Sequence, residues 1–528
     1  MKKKLLFIGL IFFQLLAFPQ EDAWVFLNAK ANVANALANP LTILTQDAID
    51  RKNNHIVVID FRDVPVDETY ITQLKNATGI TVMAKSKWFN AVHVRGTEAD
   101  IINLLIESFV DHIEFADKSL NTGRNFTIVN KFEIEDTQTT FVYGNTENQV
   151  EMINADALHL SDFTGAGMIV AVLDAGFPNV NVMSSFQRMR EAGNLLGAYD
   201  FVNRDEDVYT GTTSNHGTKV LSTMVGFIEN QFVGTAPDAS YYLFITEHAP
   251  NENPVEESYW VEAAERADSL GVDVINTSLG YKGYDNPNYS HTSADMDGKT
   301  AFITRGANIA FEKGLLLINS AGNSGSNGVN APADSPNVFS IGAVDGNEDY
   351  ASFSSQGSTI QPTQKPDVSA RGLGSFVIDQ NDNIVQNNGT SFSSPILAGG
   401  ITCLWQALPN KTNAEIMQLV RENASQYTLP DFFLGYGIPD LQTALNSQAP
   451  SEFIIFPNPV KQNLQIVFPK DSSTALLELY DILGKLVMST TIYETRKSIN
   501  LEFLSTGIYI AKLQADNKIS SAFKLIKK

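Results

Sequence analysis

Only three histidines, at 216, 248 and 291, follow residue 160, so a general base in the larger part of the chain has few candidates. His216 stands apart, because Asn215-His216-Gly217-Thr218 opens a helical run, KVLSTMVGF. Gly217 removes side-chain bulk beside an imidazole at a helix start, where a reactive group can face a cleft. Asp174 directly follows the apolar run MIVAVL and precedes Ala175-Gly176. Its carboxylate therefore sits where a strand leaves a sheet and glycine permits a sharp turn. Asn323, in Ser320-Ala321-Gly322-Asn323-Ser324-Gly325 at the end of LLLIN, offers an amide that can donate to a developing oxyanion. Ser391, in Gly389-Thr390-Ser391-Phe392-Ser393-Ser394-Pro395, leads into ILAGGITCLWQAL. Pro395 fits the first turn of that apolar helix, and a serine at its entrance gains from the positive end of the dipole. Singly, these residues also read as an ordinary turn, a structural histidine, an Asx turn and a helix cap. Together they hold what nucleophilic acyl transfer requires: a hydroxyl, an imidazole to take its proton, a carboxylate and an oxyanion donor.

These groups need elements that bring them together. Between about 145 and 446, buried-type strands recur as MIVAVL (168–173), YYLFIT (241–246), VDVINTS (272–278), LLLINSA (315–321) and VFSIGAV (338–344). Helical stretches such as Val255 to Leu270 and Lys299 to Lys313 separate them. Continuous apolar strands alternating with helices predict an α/β unit with a parallel sheet covered on both faces. In such a sheet reactive groups collect at the carboxyl ends of strands.

Before this unit, short elements alternate between about 50 and 117. A strand is expected at Ile56 to Phe61, a helix at Asp67 to Asn76, and paired strands at Ile80 to Ala84 and Trp88 to Val94. A helix is expected after Thr97-x-x-Asp100, and a last strand at Val110 to Phe115. The order βαββαβ is that of a small ferredoxin-like α+β unit. Residues 118–144 are polar, without periodicity, and read as a linker. Beyond the 447–452 linker, residues 453–528 hold short strand-like segments (NLQIVF, ALLELYD, SINLEF, GIYIAKLQ, AFKLI), expected to form an all-β sandwich. That tail is basic: residues 451–528 carry ten Lys and Arg against seven Asp and Glu, whereas the whole chain has a net charge of −22.

The acidic balance argues against nucleic acid as a partner. A single cysteine, Cys403, excludes an internal disulfide or a thiolate zinc cluster and reads as a small buried hydrophobe. Lys2-Lys3-Lys4 before the apolar stretch Leu5 to Phe18 forms a secretory signal, residues 1–20, too short to span a bilayer. Asp205, Asp207, Asp295 and Asp297 lie in acidic loops that could ligate structural calcium or stay solvated.

The order Asp174, His216, Asn323, Ser391 resembles that of the subtilisin-like serine endopeptidases. VAVLDAG, NHGT, SAGNSG and GTSFSSP carry the resemblance, with Ser278-Leu279-Gly280, Ala351-Ser352-Phe353-Ser354 and Lys365-Pro366-Asp367 as further matches. It departs at Ala175, where the family usually has Thr or Ser, and at Phe392, where Met is usual. The resemblance implies Ser391 as nucleophile, His216 as base, Asp174 as its orienting carboxylate and Asn323 as oxyanion donor. It also implies that Ser278, Leu279 and Gly280 form one wall of the peptide groove, and Ser320, Ala321 and Gly322 part of the other. No cofactor is required for such catalysis. Residues 21–117, including the ferredoxin-like unit, resemble an inhibitory propeptide cut off within 118–144; a permanent regulatory domain is the alternative. The tail resembles the C-terminal sorting domain of type IX secretion, through Phe456-Pro457-Asn458-Pro459, Asp481-Ile482-Leu483-Gly484-Lys485, Leu504-Ser505-Thr506-Gly507-Ile508-Tyr509 and Lys524 to Lys528. An adhesive or carbohydrate-binding sandwich is the bland alternative for it. The expectation is a monomeric secreted endopeptidase, made as a zymogen, exported by Sec and type IX secretion to the surface or beyond, and acting on proteins or peptides. The competing reading is a catalytically silent surface adhesin on the same scaffold.

Overall fold

The first segment to pair is an amphipathic strand whose two faces serve two cores. In β1 (Gln20–Leu27), Ala23, Val25 and Leu27 belong to one apolar cluster, while Trp24 and Phe26 join another. This is the period of two expected of a strand buried on both sides. The computed structural model describes residues 20–120, 141–212, 214–448, 452–469, 472–492, 496–516 and 520–528. The apolar signal stretch and most of the 118–144 linker thus lie outside the described residues.

After β1 come α1 (Gln46–Asn54), α2 (Glu68–Asn76), β2 (Thr81–Ser86), β3 (Ala91–Thr97), α3 (Glu98–Asn103) and β4 (Val110–Phe115). The strands form an antiparallel sheet in the order β2-β3-β1-β4, a ferredoxin-like arrangement. Ile71 and Leu74 of α2 and Ile101 of α3 cover one face. Thr97 caps α3 by accepting from the Asp100 N–H at 3.2 Å, as its sequence position predicts. The expected strand at Ile56–Phe61 does not form; β1 is the first strand, and the unit starts near residue 20 instead of 50. The inner place between β3 and β4 is filled by β1, leaving Ile56 86 % and Val58 72 % exposed in irregular chain. Residues 28–66 instead form a long strap that carries α1.

The central unit is built on β5 (Ile169–Asp174), β6 (Leu195–Asp200), β7 (Ser240–Ile245), β8 (Val274–Thr277), β9 (Leu316–Ser320), β10 (Phe339–Val344) and β11 (Val368–Arg371). All pair in parallel, in the order β11-β10-β9-β8-β5-β7-β6. Four of its helices position reactive groups or carry the N-terminal unit: α4 (His216–Val225), α5 (Val255–Leu270), α6 (Phe302–Glu312) and α7 (Thr390–Ala407). Every residue of α7 is buried, which explains its largely apolar sequence. The hairpin β12 (Ser375–Ile378) and β13 (Ile384–Asn387) precedes it. The second face of the N-terminal sheet packs on α5 and α6, where Trp24 stacks on Phe302 at 4.5 Å between ring centroids.

The tail is a sandwich of two antiparallel sheets with a core of its own that includes Leu464, Ile466, Leu477, Leu479, Leu513 and Leu525. One sheet is β14 (Ile454–Phe456), β15 (Asn463–Val467) and β18 (Arg496–Asn500); the other is β17 (Leu486–Ile492), β16 (Ala475–Asp481), β19 (Gly507–Ala515) and β20 (Ser520–Lys527). Among the described residues no helix is long and apolar enough to cross a membrane.

Candidate active site

Parallel strands deliver their carboxyl ends to one edge, and the four sequence-marked residues gather there. Asp174 is the last residue of β5, Asn323 lies three past the end of β9, His216 is the first residue of α4 and Ser391 the second of α7. The wholly buried Asp174 carboxylate faces the imidazole, with His216 Nδ1 at 2.8 Å from Oδ1 and 3.0 Å from Oδ2. The Ala175 N–H donates to Oδ1 at 2.7 Å. A backbone donor therefore supports the carboxylate where the side chain of Ala175 cannot. Burial pushes the imidazole pKa down, and the Asp174 charge and hydrogen bond more than offset this, so His216 titrates above the ordinary histidine value. Lys219, one turn along α4, pulls in the opposite direction. Gly217 makes the approach of α4 to β5 possible: a Cβ there would lie 2.6 Å from the Gly176 carbonyl oxygen and 3.0 Å from Asp174 Cβ.

Asn323 is oriented by a residue that sequence reasoning passed over. Thr390 donates to Asn323 Oδ1 through both its N–H and its hydroxyl, each at 2.9 Å. With the oxygen so engaged, Nδ2 points the other way, toward Gly389. A Cβ placed on Gly389, whose φ is 147°, would stand 3.5 Å from Asn323 Nδ2 and 3.7 Å from Ser391 N. The lack of a side chain there leaves a small space with both donors on its rim, which suits an oxyanion. Thr390 sits beside Ser391 in GTSFSSP, so its hydroxyl was the available signal.

Pro395 is the sixth residue of α7, one turn later than its expected place. A proline has no N–H for the carbonyl four residues back, which is that of Ser391. That carbonyl instead accepts from Ser278 Oγ at 2.9 Å, while Ser391 Oγ donates to the Ser278 carbonyl at 3.3 Å. Ser391 thus hydrogen-bonds to Ser278 and not to His216, as is common before substrate binds. His216 lies against Phe392, with ring centroids 5.9 Å apart. Of the two segments expected to wall a groove, Leu279 and Gly280 reach the surface while Ser278 is buried; Ser320 and Ala321 are buried and Gly322 is half-buried.

A subtilase family model matches residues 165–437, about half of the chain, across all four sites. The chain belongs to the subtilase family. It is 31 % identical over 300 residues to subtilisin E of Bacillus subtilis (strain 168), covering 56 % of this chain and 70 % of that protein. Subtilisin DY of Bacillus licheniformis is 27 % identical, with 56 % and 97 % covered. A crystal structure of MycP1 with its N-terminal propeptide removed shares 22 % identity over 56 % of this chain and 96 % of that one, at a TM-score of 0.45. The model for the peptidase S8 propeptide domain of Bacteroidota matches residues 22–132, and that for a secretion system C-terminal sorting domain matches 454–528. This subtilase is therefore a serine peptidase with its own propeptide domain and a type IX sorting domain that directs it to the cell surface or beyond.

The carboxylates of the acidic loops marked for calcium make hydrogen bonds within the chain. Asp207 accepts from Tyr209 N and Thr210 N, and Asp295 from Thr292 N and Lys118 Nζ. Asp297 accepts from Lys299 N and Thr300 N, and Asp205 from Asp207 N. The one convergent trio among the described residues is Glu247, Glu252 and Glu256, whose ligand atoms lie within 4.8 Å of one another. It follows β7 beyond the sheet edge, where Tyr281 donates to Glu247. Burial pushes Glu256 up to about 8.

Proposed function

We propose that the chain is a secreted endopeptidase that hydrolyses peptide bonds through an acyl-enzyme on Ser391. Ser391 Oγ attacks the carbonyl carbon while its proton passes to His216 Nε2. The carbon–nitrogen bond then breaks, and His216 returns the proton to the leaving amine. Water, deprotonated by His216, cleaves the ester and frees the serine. Asp174 holds the proton on Nδ1 and stabilises the imidazolium without accepting that proton. Asn323 Nδ2 and Ser391 N stabilise the oxyanion of each tetrahedral intermediate. The groove is walled by Ser278-Leu279-Gly280 and Ser320-Ala321-Gly322, and an extended substrate adds to it as a strand. The chemistry needs no cofactor.

The observation that carries this reading is the Asp174–His216 pair, set on the same sheet edge as two donors that flank an empty space beside Ser391. The rest of the chain fits a zymogen. The N-terminal unit, as propeptide, blocks the site until cut within 118–144, and the sandwich at 453–528 hands the exported protein to the type IX machinery. The central unit, 145–446, then works as a monomer.

A fluorophosphonate probe should label the processed protein at Ser391 and leave Ser391→Ala unlabelled; equal labelling of both would overturn the assignment. Asn323→Ala should lower kcat about 100- to 1000-fold with KM little changed, because the donor acts where charge develops. Near-normal turnover in that variant would take Asn323 out of the oxyanion site.

A further inference from the structure

The strap of residues 28–66 runs to the far end of the parallel sheet from the candidate active site. Its contacts fall where α5 and α6 end, just before β8 and β9 begin. Thr45 N donates to the Ser269 carbonyl at 3.0 Å, and Arg51 Nη1 to the Lys313 carbonyl at 2.8 Å. Asp174 lies at, and Asn323 just past, the opposite, carboxyl ends of strands in that sheet. A six-residue strand puts about 20 Å between the two edges. The strap therefore touches none of the groups proposed to react.

What it touches is a charge pair that it completes. On the catalytic side, Asp268 and Lys313 stand at the ends of α5 and α6. On the strap side, Arg51 and Lys52 bind Asp268 Oδ1 at 2.5 and 2.6 Å, while Asp63 and Asp60 bind Lys313 Nζ at 2.8 and 3.1 Å. Lys52 also reaches Asp63 at 3.2 Å, closing the network. The side chains of Lys52, Asp63 and Asp268 are fully buried, and that of Lys313 is 1 % exposed. At the margin, Arg62 meets Glu312 at 2.6 Å. Asp268 and Lys313 thus each face two opposite charges from the strap. Arg51 and Lys52 also lie at the carboxyl ends of two helices, where cations are favoured.

We propose that this rear surface is a second docking site for the propeptide, independent of the cleft, and that it holds the propeptide on the enzyme after the chain is cut between the two units. Buried, hydrogen-bonded ion pairs across an interface chiefly slow dissociation, since losing one partner strands the other in a dry site. The rear site accepts a segment bearing adjacent cations followed by two acids about ten residues on, the pattern of Arg51-Lys52 and Asp60-x-x-Asp63. The inference rests on the N-terminal unit acting as a propeptide, but not on Ser391 being the nucleophile.

The test uses the full Ser391→Ala chain with a site-specific protease sequence placed between 121 and 140, so that nicking needs no self-cleavage. Gel filtration then follows how long the two pieces co-elute. The parent pair should stay together, and Lys52→Met should shed its propeptide at least tenfold faster. Equal retention by Lys52→Met, or immediate separation of the nicked parent, would overturn the proposal. Should Lys52→Met fail to fold, hydrogen exchange on the nicked parent decides. Amides of α1 protected as long as those of β1 and β3 support the rear site; α1 exchanging freely while the sheet stays protected overturns it. Failure of the serine assignment would show instead in the fluorophosphonate experiment and leave this result untouched.

Discussion

Ser391→Ala is expected to lower turnover about a million-fold, the scale on which removal of a serine nucleophile acts in a hydrolase of this kind. The size follows from what remains. The Asp174–His216 pair and the Asn323 donor stay in place, but without the hydroxyl no ester can form, and the residual rate comes from water attacking a bound, polarised peptide. The structural change should be small, because Ser391 Oγ makes a single 3.3 Å hydrogen bond, to the Ser278 carbonyl. The Ser278–Ser391 link survives through the other bond, from Ser278 Oγ to the Ser391 carbonyl. Two measurements check the prediction together: peptide hydrolysis by the purified variant, and the mass of its accumulated product. A variant that still separates its own N-terminal unit at the parent's rate, with no other protease present, would sink Ser391 as nucleophile.

The site was legible because its parts are local. Each reactive residue stands at the end of an apolar strand or the start of a helix, so the edge of the sheet could be inferred before any distance was known. The strands of the sheet interior also read well: YYLFIT lies within one residue of β7, and the helix at Val255–Leu270 keeps its bounds. The edges did not. β6, LLGAYD, is only partly covered and contains a glycine, so no continuous apolar run announces it. β11 offers just four residues. The inner strand β1 was missed as well: it begins with Gln-Glu-Asp and comes close after the apolar leader, which hid its buried run from Asp22 to Leu27. The run Ile56–Phe61 has strand composition, but β1 already fills the inner place between β3 and β4, and composition carries no information about partners.

What sequence could not convey at the site was orientation. Asn323 is useful only because Thr390 binds its oxygen and turns its nitrogen toward Gly389. The proline, compatible by sequence with a helix start, has a sharper consequence, since it releases the Ser391 carbonyl for Ser278. In both cases a residue adjacent to a reactive group sets its direction, and adjacency in sequence says nothing about direction.

Asp174→Asn should lower kcat about ten-thousand-fold while leaving the fold intact. The asparagine amide has the carboxylate's shape, and its oxygen can still accept from Ala175 N. Its NH2 group would then face His216 Nδ1 as a donor and favour the tautomer with the proton on Nε2, which cannot accept one from Ser391. The pH profile separates this from a loss of structure. In the parent, Asp174 holds the His216 pKa above the ordinary value, about 6.5, despite burial. Only the neutral imidazole is a base, so parent kcat/KM should fall as pH drops through that raised value. The stability linked to the pair has the opposite sense: it is present below the unfolded pKa and lost as pH rises through the folded one. Without the carboxylate charge, burial and Lys219 both lower the imidazole pKa, so the acidic limb of the variant should move to lower pH. The stability gained by the parent on the acidic side should disappear with it. A residual activity whose acidic limb stays where the parent's lies would show that Asp174 does not set the charge of His216.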